Sequence, residues 1–322
     1  LLGVAELALL AGFAWVGASS LRARLLPRLT GTPAHLASSV LALALLIWVG
    51  GLLGTFGLVD VVPYLLVIVF AGLLLRFGLT HPSPPPAGGA VAGDAAAPPA
   101  AEGSRPVVLI SLAIVAIATL HFAAGAKTRL STGMTGFDST WYHGPFAAGF
   151  FQSGNTMALH FIAPQFLAWF YPANGEIFHS VGMLAFGRDL LSPLLNLGWF
   201  AGCLVACWCI GRPYRVGAWS LILGAVALSV PALSEQAGEA RNDIVGIFFL
   251  LAAIAIALNA AAGPGEGADA REVAERRGRS TGALLLVGLS IGLAAGTKLN
   301  FLLPAAVLVL GLTVMAPRGR RW

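Results

Sequence analysis

Residues 243–262 read DIVGIFFLLAAIAIALNAAA, and after the opening Asp243 they carry no charge. Twenty residues at about 1.5 Å each make roughly 30 Å of helix, the thickness of the hydrocarbon core of a bilayer. Comparable apolar runs occupy 1–19, 36–58, 61–80, 106–125, 190–211, 216–233, 281–297 and 299–316. Only 10% of the 322 residues are charged, against about 25% in an average soluble domain. Because lipid cannot satisfy backbone polar groups, runs of this length cross it as helices. The expectation is an all-α, polytopic membrane protein with about nine transmembrane helices.

The chain starts at Leu1 inside an apolar run and stops at Arg318-Gly319-Arg320-Arg321-Trp322 just past another. A fragment of a longer polytopic protein is therefore expected. Residues 1–19 lack a basic leader and a small-residue cleavage site, which favours a span over a signal peptide.

Charge assigns the sides. With Arg22, Arg24 and Arg28 in the cytoplasm and the side alternating at each span, Lys127, Arg129, Arg188, Arg241 and Lys298 are the five of 19 basic residues left outside. That asymmetry follows the positive-inside rule, so the net charge of +5 needs no nucleic-acid partner. Four parts follow. Residues 1–80 hold three leading spans, 81–105 a Pro/Ala/Gly-rich cytoplasmic linker, 106–316 a membrane module and 317–322 a basic cytoplasmic end. The module carries a long extracytoplasmic loop, 127–189. Apolar and aromatic residues at helical spacing place short amphipathic helices at 143–153 and 176–187 of that loop, lying on the membrane surface or dipping into it.

The loop opens on Gly136-Phe137-Asp138-Ser139-Thr140-Trp141-Tyr142-His143-Gly144-Pro145. An acid, a tyrosine and a histidine beside an apolar helix are costly unless they bind or react. Asp138 suits a general base, and it is also placed to cap a helix starting at Ser139. Tyr142, His143 and Glu176 are candidate substrate contacts, although Glu176 also suits the first turn of a helix. Lys298, in Gly296-Thr297-Lys298, interrupts an apolar hairpin on the same side and suits a phosphate, or snorkels to the interface. Asp243 follows Arg241-Asn242 at the head of a span on that side. With Asp138 it could offer oxygen ligands to a divalent metal ion, the one cofactor the acids suggest. His143, His160 and His179 lack metal-ligand spacing, and Cys203, Cys207 and Cys209 read as packing residues within one span. Phosphate-binding, dinucleotide, zinc-protease and serine-hydrolase motifs are absent from the sequence.

The order Phe137-Asp138-Ser139-Thr140-Trp141-Tyr142-His143-Gly144-Pro145, Gln152-Ser153-Gly154, Pro172-Ala173-Asn174-Gly175-Glu176, Arg241-Asn242-Asp243 and Gly296-Thr297-Lys298 resembles bacterial polytopic glycosyltransferases of the C superfamily. The protein mannosyltransferase and aminoarabinose transferase groups are the nearest in pattern. The resemblance covers residues 106–316. It implies a polyprenyl-phosphate sugar donor entering from the membrane and a lipid, glycan or protein acceptor. Asp138 would be the base, Asp243 a second acid or metal ligand and Lys298 a phosphate contact. It also implies a plasma-membrane location with the active site facing away from the cytoplasm. Two departures stand out: the family often has paired acids where Asp138 is followed by Ser139, and three spans precede the module. A transporter or flippase of lipid-linked saccharides is the alternative. It would show charges deep in the spans and inverted repeats, and the sequence has few of the former and no detected repeat.

Overall fold

The computed structural model describes residues 1–78, 104–157, 171–261 and 270–315. Every regular element among them is helical. In chain order these are α1 (Leu2–Leu25), α2 (Gly31–Thr55), α3 (Val61–Leu73), α4 (Arg105–Thr132), α5 (Gly144–Ser153) and α6 (Asn174–Phe186). There follow α7 (Ser192–Gly211), α8 (Gly217–Leu228), α9 (Pro231–Ser234), α10 (Asp243–Ala261), α11 (Ala270–Ala295) and α12 (Leu302–Met315). The linker expected over 81–105 lies outside the described residues up to Gly103, as do His160 and the basic end 317–322.

Among the described residues six helical stretches are long and apolar enough to cross a membrane: Leu2–Leu25, Gly31–Thr55, Val61–Gly78, Arg105–Thr132, Ser192–Tyr214 and Asp243–Ala261. The remaining three expected spans correspond to shorter apolar helices, Gly217–Leu228, Thr281–Ala295 and Leu299–Val314. The 12 residues of α8 reach only about 18 Å. Pro231 explains the stop: it pushes Val230 into an extended conformation (φ −64°, ψ 148°), and the helix ends before it. α11 already begins at Ala270, ahead of the apolar run that starts at residue 281.

α10 is the central helix. It packs along α7 and α11 and touches α2, while α4 lies across α7 and α8. The leading helices do not stand apart, since α2 contacts α6, α7, α10 and α11. α1 and α3 cross at glycine: a Cβ on Gly17 would stand 2.9 Å from Gly72 Cα. Small residues at such crossings let two backbones approach closely in an apolar solvent. Polar groups inside the bundle are bonded across helices, as where Ser290 Oγ donates to the Phe249 carbonyl at 2.7 Å and Asn259 Nδ2 to the Cys209 carbonyl at 2.7 Å. α5 buries Phe146, Ala147 and Phe150 and leaves Gln152 and Ser153 exposed. α6 differs from the surface helix expected over 176–187. It buries every residue from Gly175 to Met183, whereas a helix resting on a bilayer keeps a solvated face.

Candidate functional site

The first wall of the site is the segment between α4 and α5. α4 ends at Gly133 in a positive-φ conformation, and the chain folds back along the segment preceding α10. Glu239, 1% exposed, holds it there. Its Oε1 lies 2.8 Å from Arg129 Nε and accepts from the Thr135 amide at 3.1 Å. The Ala240 amide donates to Ser139 Oγ at 3.0 Å. Gly136 allows the approach, because a Cβ there would stand 2.9 Å from Glu239 Oε2. Asp138 is thereby fixed between two anchored neighbours. The expected cap is not formed: the helical turn already includes Phe137, and Asp138 has helical angles with no capping bond. Phe137 and Trp141 flank it as an exposed aromatic pair with ring centroids 4.8 Å apart.

The second wall is Arg241-Asn242-Asp243, held from inside by α7. Asn196 Nδ2, fully buried, reaches the carbonyls of Gln236, Glu239 and Arg241 at 2.9, 2.9 and 3.0 Å. Gln236 closes the loop by accepting from the Ile244 amide at 3.2 Å and donating to Asp243 Oδ2 at 3.2 Å. The three side chains then reach three different groups. Arg241 Nε lies 3.8 Å from Asp138 Oδ2. Asn242 Nδ2 donates to Glu176 Oε1 at 2.8 Å, and Asp243 Oδ1 accepts from Lys298 Nζ at 3.1 Å.

Lys298 comes from the turn joining α11 to α12. Asn174, at the start of α6, ties that turn down. Its amide donates to the Gly296 carbonyl at 3.1 Å and its Nδ2 to the Leu293 carbonyl at 3.1 Å. Lys298 Nζ also lies 3.9 Å from Asp138 Oδ2, and Asn300 Nδ2 donates to Asp243 Oδ1 at 3.2 Å. Asp138, Asp243 and Lys298, which are more than 50 residues apart at every step of the chain, therefore meet around one ammonium.

Tyr142, His143 and Glu176 form the adjoining layer. The His143 ring is buried and pairs through Nδ1 with Glu176 Oε1. That oxygen also accepts from Asn242, whose Nδ2 stands 3.1 Å from His143 Nδ1 as well. His143 Nε2, Glu176 Oε2 and Asn242 Oδ1 are buried without hydrogen-bond partners among the described residues. Tyr142 is half-buried, 4.0 Å from the His143 ring and 6.1 Å from that of Tyr171 between centroids. Burial, and then the charges of Asp138, Glu176, Asp243 and Tyr171, hold its hydroxyl above the usual tyrosine range, so it stays a neutral donor. Behind this layer, burial and the neighbouring His143 push His179 down to about 3.

The Lys298 ammonium lies within 4 Å of both Asp138 and Asp243, the two carboxylates expected to offer oxygen ligands to a metal ion. Among the described residues no group of three or more His, Cys, Asp or Glu side chains is arranged to hold a metal ion. Sequence reasoning missed Asn196, Gln236 and Asn300. Asn196 left a usable signal, because an amide inside an apolar run is costly unless bonded. Gln236 and Asn300 carry no such pattern and emerge only from the folded loops. No protein-family model, curated protein or solved structure matches this chain.

Proposed function

We propose that this chain is a membrane glycosyltransferase that moves a sugar from a polyprenyl-phosphate donor to an acceptor on the extracytoplasmic face. The nine apolar helical segments among the described residues would all lie in the plasma membrane, the three shorter ones, Gly217–Leu228, Thr281–Ala295 and Leu299–Val314, included. The observation that carries the proposal is the meeting of Asp138, Asp243 and Lys298 at the loop ends of apolar helices. Asp138, with Arg241 and Lys298 at 3.8 and 3.9 Å and no shorter contact to either, would work as the base, while the Lys298 ammonium draws an anionic leaving group.

In this mechanism the donor phosphate approaches Lys298, and its lipid stays among the helices. The acceptor hydroxyl attacks the anomeric carbon, its proton passes to Asp138, and the bond from that carbon to the phosphate oxygen breaks. Polyprenyl phosphate leaves with the bonding electrons, and the anomeric configuration inverts. Phe137 and Trp141 offer an exposed apolar surface on which a sugar face packs, beside the base. Glu176, His143 and Asn242 form the buried layer behind the base, and their unpartnered Oε2, Nε2 and Oδ1 give that layer polar capacity next to Tyr142. Tyr142 contributes a neutral hydroxyl donor.

Purified protein in proteoliposomes, given radiolabelled polyprenyl-phosphate sugar and a crude envelope acceptor, tests the proposal. Sugar transfer with no transmembrane gradient supports it. Movement of the labelled lipid between leaflets without transfer contradicts it and favours a flippase.

A further inference from the structure

A cavity of about 630 Å³ lies away from Asp138, between α1, α2, α6, α7 and α10. One wall is a stripe on α2, Thr32, His35, Ser39, Leu43 and Leu46, at successive helical turns. From Thr32 to Leu46 it runs roughly 21 Å, longer than the roughly 15 Å of hydrocarbon in one leaflet. Trp15 stacks on His35 with centroids 6.0 Å apart on one side, and Gly198, Trp199 and Val205 of α7 line the other. Gly198 leaves real space, since a Cβ there would meet nothing within 4 Å. The polar lining residues Thr32, His35 and Ser39 all sit toward one end.

That end is strongly basic. Arg22 and Arg24 occupy the last turn of α1, and Arg212 follows α7. The guanidinium of Arg212 comes within 3.9 Å of a Cβ built on Gly31, the residue before Thr32. Arg22 Nη1 donates to the Leu29 carbonyl at 3.2 Å and Arg24 Nη2 to that of Leu75 at 3.5 Å, while Arg212 lies over the Trp208 ring. None of these three arginines pairs with a carboxylate among the described residues, and Arg22 Nε is buried without a partner. The connecting segments 26–30 and 212–216 contain no acid.

We propose that this groove binds one acyl chain of a membrane phospholipid whose anionic headgroup rests against Arg22, Arg24 and Arg212. Charge complementarity selects the occupant. The stripe takes the chain, and the arginines, whose positive charge no carboxylate among the described residues offsets, take the headgroup. This lipid is distinct from a sugar donor, whose phosphate would lie at Lys298.

Native mass spectrometry of the full chain from nanodiscs of equal phosphatidylglycerol and phosphatidylcholine tests this. Phosphatidylglycerol is expected to remain bound in preference to phosphatidylcholine. The double variant Arg24→Gln/Arg212→Gln weakens its retention roughly tenfold or more. Gly198→Phe, which fills the groove without touching a charge, removes retention of both lipids. Gly12→Phe is the control, because its Cβ also meets nothing within 4 Å but Gly12 does not line the groove. Equal retention of the two lipids by the wild type overturns the proposal, as does Gly198→Phe behaving like the control. Displacement of bound lipid by added polyprenyl phosphate, with the arginine variant unchanged, assigns the groove to a donor tail and also overturns it. None of these readouts depends on sugar transfer, so the failure of either proposal leaves the other standing.

Discussion

Lys298 Nζ lies 3.1 Å from Asp243 Oδ1 and 3.3 Å from Oδ2, so one ammonium covers both oxygens of one carboxylate. With side chains 17% and 18% exposed, the pair is largely shielded from water. Removing either member strips a partly dehydrated charge of its nearest counter-ion. Lys298→Gln and Asp243→Asn are each expected to cost about 1–2 kcal/mol, and the double variant less than their sum. Thermal melts of the four proteins in detergent check this, and strictly additive losses would show that the contact contributes nothing.

Gly175 has no room for a side chain, because a Cβ there would stand 2.3 Å from Asn242 Cγ. Gly175→Ala should therefore destabilise the wild type by displacing the amide that serves Glu176. In an Asn242→Ala background the same change should be close to neutral. Asn242→Ala itself is expected to cost about 2 kcal/mol, since the buried Glu176 loses a donor. Equal melting-point losses from Gly175→Ala in both backgrounds would contradict the packing described.

Stability should fall in acid through His179. Its ordinary value is about 6.5, and the fold pushes it down to about 3. The unfolded chain thus takes up a proton that the folded one refuses. This contribution is complete above pH 6.5 or so and is lost as pH falls toward 3, at up to about 1.4 kcal/mol per pH unit. A His179→Phe variant should show a flatter melting point between about pH 6 and pH 4 than the wild type. Parallel curves would rule the group out.

Glu239 is a positioning residue. It touches Arg129 and the Thr135 amide, and through them holds the segment carrying Asp138. Glu239→Gln should lower kcat for sugar transfer by about tenfold or more while leaving the KM for the donor nearly unchanged, because small misplacements of a reacting group cost this much. An unchanged kcat with a raised KM would place Glu239 at the donor instead.

The apolar runs made the helical architecture legible, since about 20 uncharged residues in a row have few other uses. Ser229-Val230-Pro231 was the harder passage: hydropathy carried the expected span on to residue 233, but proline stops the helix at Leu228. The site was legible in its charged members. Asp138, Asp243 and Lys298 each interrupt or border an apolar run, where a charge stands out. The amides that hold them do not stand out. Asn242 looked like a neighbour of Asp243, yet it turns the other way and joins Glu176 to the same loop. Only the folding of the segment before α10 onto α7, through Asn196, gives it that direction.

The most direct measurement of the central claim compares wild type and Asp138→Asn for sugar transfer from a polyprenyl-phosphate donor in proteoliposomes. The variant keeps the size of the side chain and removes its ability to take a proton. Transfer is expected to fall by about 10²-fold or more, with donor binding and melting temperature close to wild type. Transfer at the wild-type rate by this variant would contradict the account.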